Sequence, residues 1–344
     1  MLNTLSMGKK MIYDLANFIE FTSKYFQGDK TANIAFGLRP SGIVHLGNLL
    51  TLALAADVVN RTGPHLAKLN LAILDLDLPA TRDWNFISEK YVKHYKDLPC
   101  EGYSSFSERT RDHIEDFMDK LNQEMRVPFE LTFLSDLQKD PKYRKGLKNI
   151  LESEEARKII SPTSKNGRIE AYPLCRKCGT SYTNTIKGKI NEFDNDIIST
   201  HCTNPECDVK DYEVNIFDPS VDIAVGTLMG ALRDFADPMA DAHVYGGDYF
   251  CPHGESKEPK VEKIKQIMDI ANPKRTLDFL VGPLIFAKGR LKMSKSLHNG
   301  VDYNNLKNLF GDDYVKRILD FTWGIVEEGY SMVDFAVVQK DLLG

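Results

Sequence analysis

At 344 residues the chain exceeds one ordinary small domain, and 42% hydrophobic with 27% charged residues is ordinary soluble usage that leaves material for a sizeable core. No stretch approaches the ~18 apolar residues that a membrane helix needs. A net charge of -5 and a pI near 6.0 supply no global positive field, so an RNA partner would have to use a local basic patch.

Residues 1–21 mix lysines, acids and amides where a signal peptide would carry an unbroken apolar run, and read as an amphipathic helix of a cytoplasmic protein with no membrane partner. Asn33–Gly37 is a short apolar strand candidate. The turn Arg39-Pro40-Ser41-Gly42 follows, and then a helical pattern from His45 to about Arg61. Lys68–Asp75 is a second buried strand whose apolar run stops at acids, as parallel strands often do at the ligand-facing end. The chain therefore opens with a β-α-β unit, the start of a doubly wound sheet. From Phe86 to Ile160 the pattern is helical and highly charged, and His65, His94 and His113 are assigned no role.

Between Ser161 and Asp211 the composition turns polar, consistent with a small inserted module. Ile216–Phe235 resumes a mixed helical pattern, on which Arg233 and Asp234 read as an exposed surface pair. Ala242–Gly247 is a strand ending at glycines, Val261–Asn272 an amphipathic helix, and Thr276–Phe286 one further strand. A short helical tail begins near Asp302.

Four of the six cysteines fall in the module as Cys175-x2-Cys178, a 23-residue gap and Cys202-x4-Cys207. Without a secretion signal this spacing reads as metal ligation rather than disulfides. Four thiolates make a closed tetrahedral zinc site, so Zn2+ here would be structural, with His201 a competing ligand. The module's own core would be too small without the metal.

Two further constellations carry chemistry. Pro40-Ser41-Gly42-Ile43-Val44-His45-Leu46-Gly47-Asn48 sits where a strand feeds a helix, and the positive helix end and backbone N–H groups there suit anionic oxygens. Taken alone, this is a weak signal, read more readily as a capping turn with a structural histidine. Lys288–Ser296 is a basic, glycine-containing loop, in which Lys292 and Lys295 can neutralise charge on transferring phosphates.

As a pair, His45-Leu46-Gly47-Asn48 and Lys292-Met293-Ser294-Lys295-Ser296 resemble the "HIGH" and "KMSKS" elements of class I aminoacyl-tRNA synthetases. Within that superfamily the chain is most similar to archaeal-type class I lysyl-tRNA synthetase, in four stretches. These are Gly37–Asn48, Asp75-Leu76-Asp77 with Arg82, Leu174–Gly179 with the later cysteines, and Val244–Tyr249. The resemblance implies a Rossmann-type (HUP-like) α/β fold, a doubly wound parallel sheet in two halves. Residues 1–160 and 213–300 would form the halves, 161–212 the zinc module and 301–344 the tail.

The resemblance also implies ATP with Mg2+, an amino acid, and the acceptor end of tRNA as partners. Gly42, His45, Gly47, Asn48, Asp248, Lys292, Ser294 and Lys295 would meet ATP, with His45, Lys292 and Lys295 catalytic. Gly37, Arg39, Asp75 and Asp77 would line the amino acid. Three positions depart from the family pattern: Arg39 replaces a small residue or threonine, Asn48 the second histidine, and Tyr249 a histidine. Arg39 points to a substrate with an acidic or polar group.

Only 48 residues follow Ser296, so the family's long anticodon-binding domain is expected to be absent. Alternatives are a tryptophanyl- or tyrosyl-type synthetase, transfer to a small molecule, carrier, peptide or modified tRNA base, and an inactive tRNA-binding paralogue. Intact loop lysines argue against the last, and the sequence leaves the oligomeric state open.

Overall fold

The computed structural model describes residues 31–77, 93–161, 169–181, 191–202, 204–236, 240–246, 259–273, 278–282, 284–287, 291–292, 301–328 and 332–334. The N-terminal helix expected over residues 1–21 lies outside them.

The centre is a five-stranded sheet of β1 (Ala32–Leu38), β2 (Ala67–Ile73), β3 (Phe129–Phe133), β4 (Ala242–Tyr245) and β5 (Asp278–Val281). Its order is β5-β4-β1-β2-β3 and every pairing is parallel. The chain winds outward from β1 to β3 and then restarts on the other side of β1. That reversal puts the topological switch point between β1 and β4, where open α/β sheets bind ligands beyond the strand C-termini. β1 and β2 are buried on both faces, hence their near-continuous apolar runs.

Helices cover both faces. Ile34 and Phe36 of β1 face a core built with α1 (Leu46–Thr62), α2 (Phe106–Glu124), α6 (Tyr303–Phe310) and α7 (Tyr314–Glu328). Ala35 points the other way, as strand alternation requires. Its core is shared with α3 (Pro141–Glu152), α4 (Glu154–Ile160), α5 (Lys260–Ala271) and a 3-10 helix, Thr227–Phe235. α1 is apolar nearly all round because α7 covers the flank that the sheet leaves open.

Four sequence expectations need correction. The segment Phe86–Ile160 is not helical throughout, for β3 lies inside it. Its half-buried residues alternate too weakly to announce an edge strand, and pairing with β2 supplies the missing stabilisation. Thr276–Phe286 is two strands, since Gly282 ends β5 and Leu284–Ala287 joins a second sheet. Ile216–Phe235 contains the strand Ile223–Val225 before its 3-10 turn. The tail adds the strand Met332–Asp334, which pairs in parallel with Leu284–Ala287.

In the module, Glu192–Asp194, Ile197–His201 and Asp211–Asn215 form an antiparallel meander. Its hairpin turn places Asn195 and Asp196 at positive φ, 49° and 67°, as a two-residue primed turn requires. Ala171–Pro173 pairs with Ile223–Val225 and closes the module's base. Ile198, Val214 and Ile216 pack in the same core as α3 and α5, so the module belongs to that layer.

The tail is held to α2 by Asp116, which accepts from the hydroxyls of Tyr303 and, at 2.9 Å, Tyr314, with Lys307 at 3.4 Å. Asp116→Ala is expected to cost about 1–2 kcal/mol after allowing for its partial exposure. Limited proteolysis checks this: cleavage within 301–328 should come earlier than in the wild type. An unchanged pattern would mean that apolar packing alone holds the tail.

Candidate active site

The C-terminal ends of β1, β2 and β4 bring together Gly37, Arg39, Asp75, Asp77 and Tyr245. His45 stands at the N-terminus of α1, the first crossover helix. It is the N-cap, with Nδ1 accepting from the Asn48 N–H at 3.3 Å while Asn48 Oδ1 accepts from the His45 N–H at 3.5 Å. Because Nδ1 accepts, the ring proton sits on Nε2. Gly47 is glycine because the ring folds back over it: a Cβ there would lie 3.0 Å from His45 Cε1. The backbone donors expected to be free for phosphate are partly engaged, since Leu46 N–H donates to Val301 O at 2.8 Å.

That last bond belongs to a clamp. Tyr303 N–H donates to Val44 O at 2.8 Å, and His45 and Asp302 form an antiparallel bridge. The His45 turn is thus fixed by the segment 301–303, which comes after the basic loop in sequence. Lys292 lies on the short strand Leu291–Lys292, whose backbone pairs with Leu284–Ala287. Ser294, Lys295 and Asp248 lie outside the described residues. Gly42 closes the turn before His45, its N–H donating to Pro40 O at 3.0 Å.

Arg39 Nε meets Asp77 Oδ2 at 2.9 Å. Burial pushes the Asp77 pKa up, against the nearby cations of Arg39 and Arg233. Asp75 is buried and accepts from Ser135 N–H at 2.9 Å. Burial raises its pKa to about 6, opposed by the Ser135 contacts and by Lys96.

Arg233 and Asp234, read from sequence as an exposed pair, are buried at 3% and 0% exposure. Arg233 donates to Gly230 O at 2.5 Å and to His243 Nε2 at 2.9 Å, and His243 Nδ1 lies 2.9 Å from Asp234 Oδ2. Since Nε2 accepts from the guanidinium, the proton on Nδ1 faces Asp234, and burial pushes the His243 pKa down, keeping the ring neutral. The guanidinium lies against β1: a Cβ on Gly37 would come within 2.5 Å of it. Glycine at a buried strand end was the one signal of this close approach. The 3.6-residue pattern misplaced Arg233 because the segment is a 3-10 helix, in which successive side chains turn by a different angle.

The four module cysteines converge. Their sulfurs all lie within 4.8 Å of one another, with Cys175–Cys207 at 3.9 Å and Cys178–Cys202 at 3.4 Å. Zn–S bonds of about 2.3 Å in a tetrahedron need sulfurs roughly 3.8 Å apart, so the set fits Zn2+. The distances are far beyond a disulfide bond, and all four thiols are free. Thr180 Oγ1, 3.2 Å from Cys178 Sγ and 3.5 Å from Cys202 Sγ, can donate to thiolates, as outer-shell groups of metal sites do.

The raised Asp75 pKa has a stability consequence. A carboxyl that is harder to ionise when folded costs stability above its unfolded pKa of 3.8, and the cost grows until pH passes about 6. Asp75→Asn keeps the acceptor for Ser135. It should therefore be more stable than wild type by roughly 2–3 kcal/mol at pH 8 and equal to it below about pH 4. Denaturant titrations across that range check this, and a pH-independent difference would refute it.

Residues 14–223, more than half of the chain, match the family described as "tRNA synthetases class I (K)". No curated protein matches the sequence. Among solved structures, the chain is similar to the Leishmania major tyrosyl-tRNA synthetase in complex with tyrosinol, at 10% identity and TM-score 0.40, over 84% of this chain and 34% of that one. It is also similar to the tyrosyl-tRNA synthetase from Aeropyrum pernix, at 12% identity and TM-score 0.39 over 87% and 71% of the two chains. A third is the Archaeoglobus fulgidus enzyme complexed with L-tyrosine, at 12% identity and TM-score 0.41 over 96% and 97%. The chain spans about a third of the Leishmania chain. With the family matched over more than half its residues, the chain belongs to the class I tRNA synthetases.

Proposed function

We propose that the chain activates an amino acid with ATP as an aminoacyl-adenylate and passes it to tRNA. The observation that carries this reading is the clamp of Val44–Leu46 against Val301–Tyr303, which ties the His45 turn, beside the sheet's switch point, to chain that follows the basic loop in sequence. In the first step a carboxylate oxygen of the amino acid attacks the α-phosphorus, and the bond to the β-phosphate oxygen breaks, releasing pyrophosphate. In the second, a tRNA hydroxyl attacks the activated carbonyl and AMP leaves.

No covalent enzyme nucleophile is needed, so catalysis is positioning and charge neutralisation. His45 donates from Nε2 to a phosphate oxygen, Gly42, Gly47 and Asn48 border the nucleotide, and Asp248 lies near the adenosine. Lys292 and Lys295, with Ser294 between them, close on the β- and γ-phosphates. Mg2+ would share the neutralisation of phosphate charge. Cys175, Cys178, Cys202 and Cys207 hold a structural Zn2+.

Gly37, Arg39, Asp75 and Asp77 line the amino acid. The finer reading is an enzyme patterned like archaeal-type lysyl-tRNA synthetase, with altered selectivity. Asp77 is engaged by Arg39 at 2.9 Å, so a lysine ammonium would have to displace a guanidinium to reach it. That contact favours a substrate with a polar or acidic side chain.

The test is ATP–pyrophosphate exchange with each of the twenty amino acids, with and without total tRNA. Exchange with one amino acid is expected, falling about 10²- to 10³-fold in Lys292→Ala and Lys295→Ala if each neutralises transition-state charge. No exchange under any condition would overturn the adenylation reading. Arg39→Thr is expected to weaken use of the preferred substrate by roughly tenfold, about 1.4 kcal/mol. Unchanged selectivity would remove Arg39 from the substrate pocket.

A further inference from the structure

β2 ends at Ile73, and past it the turn bearing Asp75 and Asp77 keeps one ladder-like bond, Leu74 N–H to Leu38 O at 2.9 Å, with Ser135 N–H on the Asp75 side chain. The carbonyls of the turn itself are taken up by the segment 94–96. His94 Nδ1 lies 2.6 Å from Leu76 O, Tyr95 N–H donates to Asp77 O at 3.3 Å, and Lys96 N–H donates to Asp75 O at 3.0 Å. Three consecutive residues thus grip three consecutive carbonyls.

The other side of the same segment meets the cysteine module. His94 Nε2 lies 2.9 Å from Ser181 Oγ. Lys96 pairs with Asp222, whose backbone carbonyl accepts from the N–H of Leu174, next to Cys175, at 2.9 Å. The position of Ser181 depends on how the cysteine loop closes. Cys175 N–H donates to Thr180 O and Gly179 N–H to Cys175 O, both at 2.8 Å, and the Thr180 hydroxyl reaches two of the sulfurs.

Leu76 O can only accept, so His94 Nδ1 carries the proton and Nε2 accepts from the Ser181 hydroxyl. The ring is a neutral strut with both ends bonded. It is fully buried, and burial pushes its pKa down to about 4, so it does not ionise near neutral pH. The charges of Lys96 and Asp222 act on it through space, while its two nitrogens bond Leu76 O and Ser181. A histidine spent this way is not filling space: an apolar side chain would take the ring donor from Leu76 O and the ring acceptor from the Ser181 hydroxyl in a buried setting.

We propose that His94 is a positioning residue for the amino-acid pocket, coupling closure of the cysteine loop to the placement of Asp75–Asp77. The inference rests on reading that turn as part of the amino-acid site. When Cys175, Cys178, Cys202 and Cys207 are drawn together on a metal, Ser181 is fixed, His94 is fixed by Ser181, and the carbonyls of the turn are fixed by the segment 94–96. When the cysteines separate, the strut loses its outer anchor and the acids lose their register.

The test uses the full-length, zinc-loaded chain and two measurements. Amide hydrogen exchange is followed in peptides covering 74–77 and 175–181, before and after a zinc chelator. In wild type, chelation is expected to speed exchange at least threefold in both peptides. In Ser181→Ala, which severs the outer end of the strut, the response at 74–77 should fall by half or more. The second measurement is KM and kcat in pyrophosphate exchange with the amino acid found above. Ser181→Ala and His94→Ala should raise KM for the amino acid three- to tenfold, with kcat and KM for ATP within twofold. His94→Asn, which keeps a donor toward Leu76 O, should recover part of the loss. Unchanged exchange at 74–77 on chelation in wild type would overturn the coupling, as would equal losses in kcat and both KM values. If no amino acid supports pyrophosphate exchange while the two peptides still respond together, the coupling stands and the adenylation reading is what fails.

Discussion

Two backbone hydrogen bonds, from Leu46 to Val301 and from Tyr303 to Val44, join the first crossover turn to chain more than 250 residues later, and the geometry of the site depends on them. They are backbone bonds and therefore tolerate side-chain change, but they require the segment 301–303 to arrive in register. Asp302 secures the arrival by capping α6, accepting from Asn305 N–H at 2.9 Å, and the Asp116 cluster secures α6 and α7 against α2. The clamp fixes where the chain re-enters the His45 turn after the basic loop.

The sheet's carboxyl edge also carries ionisable groups that the rest of the fold must tolerate. Asp75 is harder to ionise than an exposed acid, and Arg233, Asp234 and His243 form a buried line in which each hydrogen bond fixes the next proton. Replacing such a line by apolar residues would cost little or even stabilise the chain. Its retention beneath β1 and β4 fits a site in which positions matter more than stability. The requirement reaches β1 itself: Gly37 has no Cβ because a guanidinium occupies that space.

The cysteine module is more than an appended knuckle. Its meander shares a core with α3 and α5, its base pairs through Ala171–Pro173, and its cysteine loop meets the turn after β2 through His94. A small unit whose own core is slight gains its order from thiolate convergence and from the layer it leans on. In return its Ser181 meets the residue that bonds the turn after β2.

The sequence by itself determined the elements whose information is local. Apolar runs ending in glycine or acid marked β1, β2 and β4, the 3.6-residue pattern marked α1 and α5, and the Cys-x2-Cys and Cys-x4-Cys spacings marked four thiols that do converge. Motif spelling marked the His45 turn, because its capping geometry uses only residues 45–48. Tertiary structure decided the rest. β3 becomes a strand only by pairing with β2, and Thr276–Phe286 divides because two sheets compete for its ends. Arg233 and His94 owe their surroundings to residues far away in the chain, and no periodicity within a segment records which partner will neutralise a buried charge or complete a buried hydrogen bond.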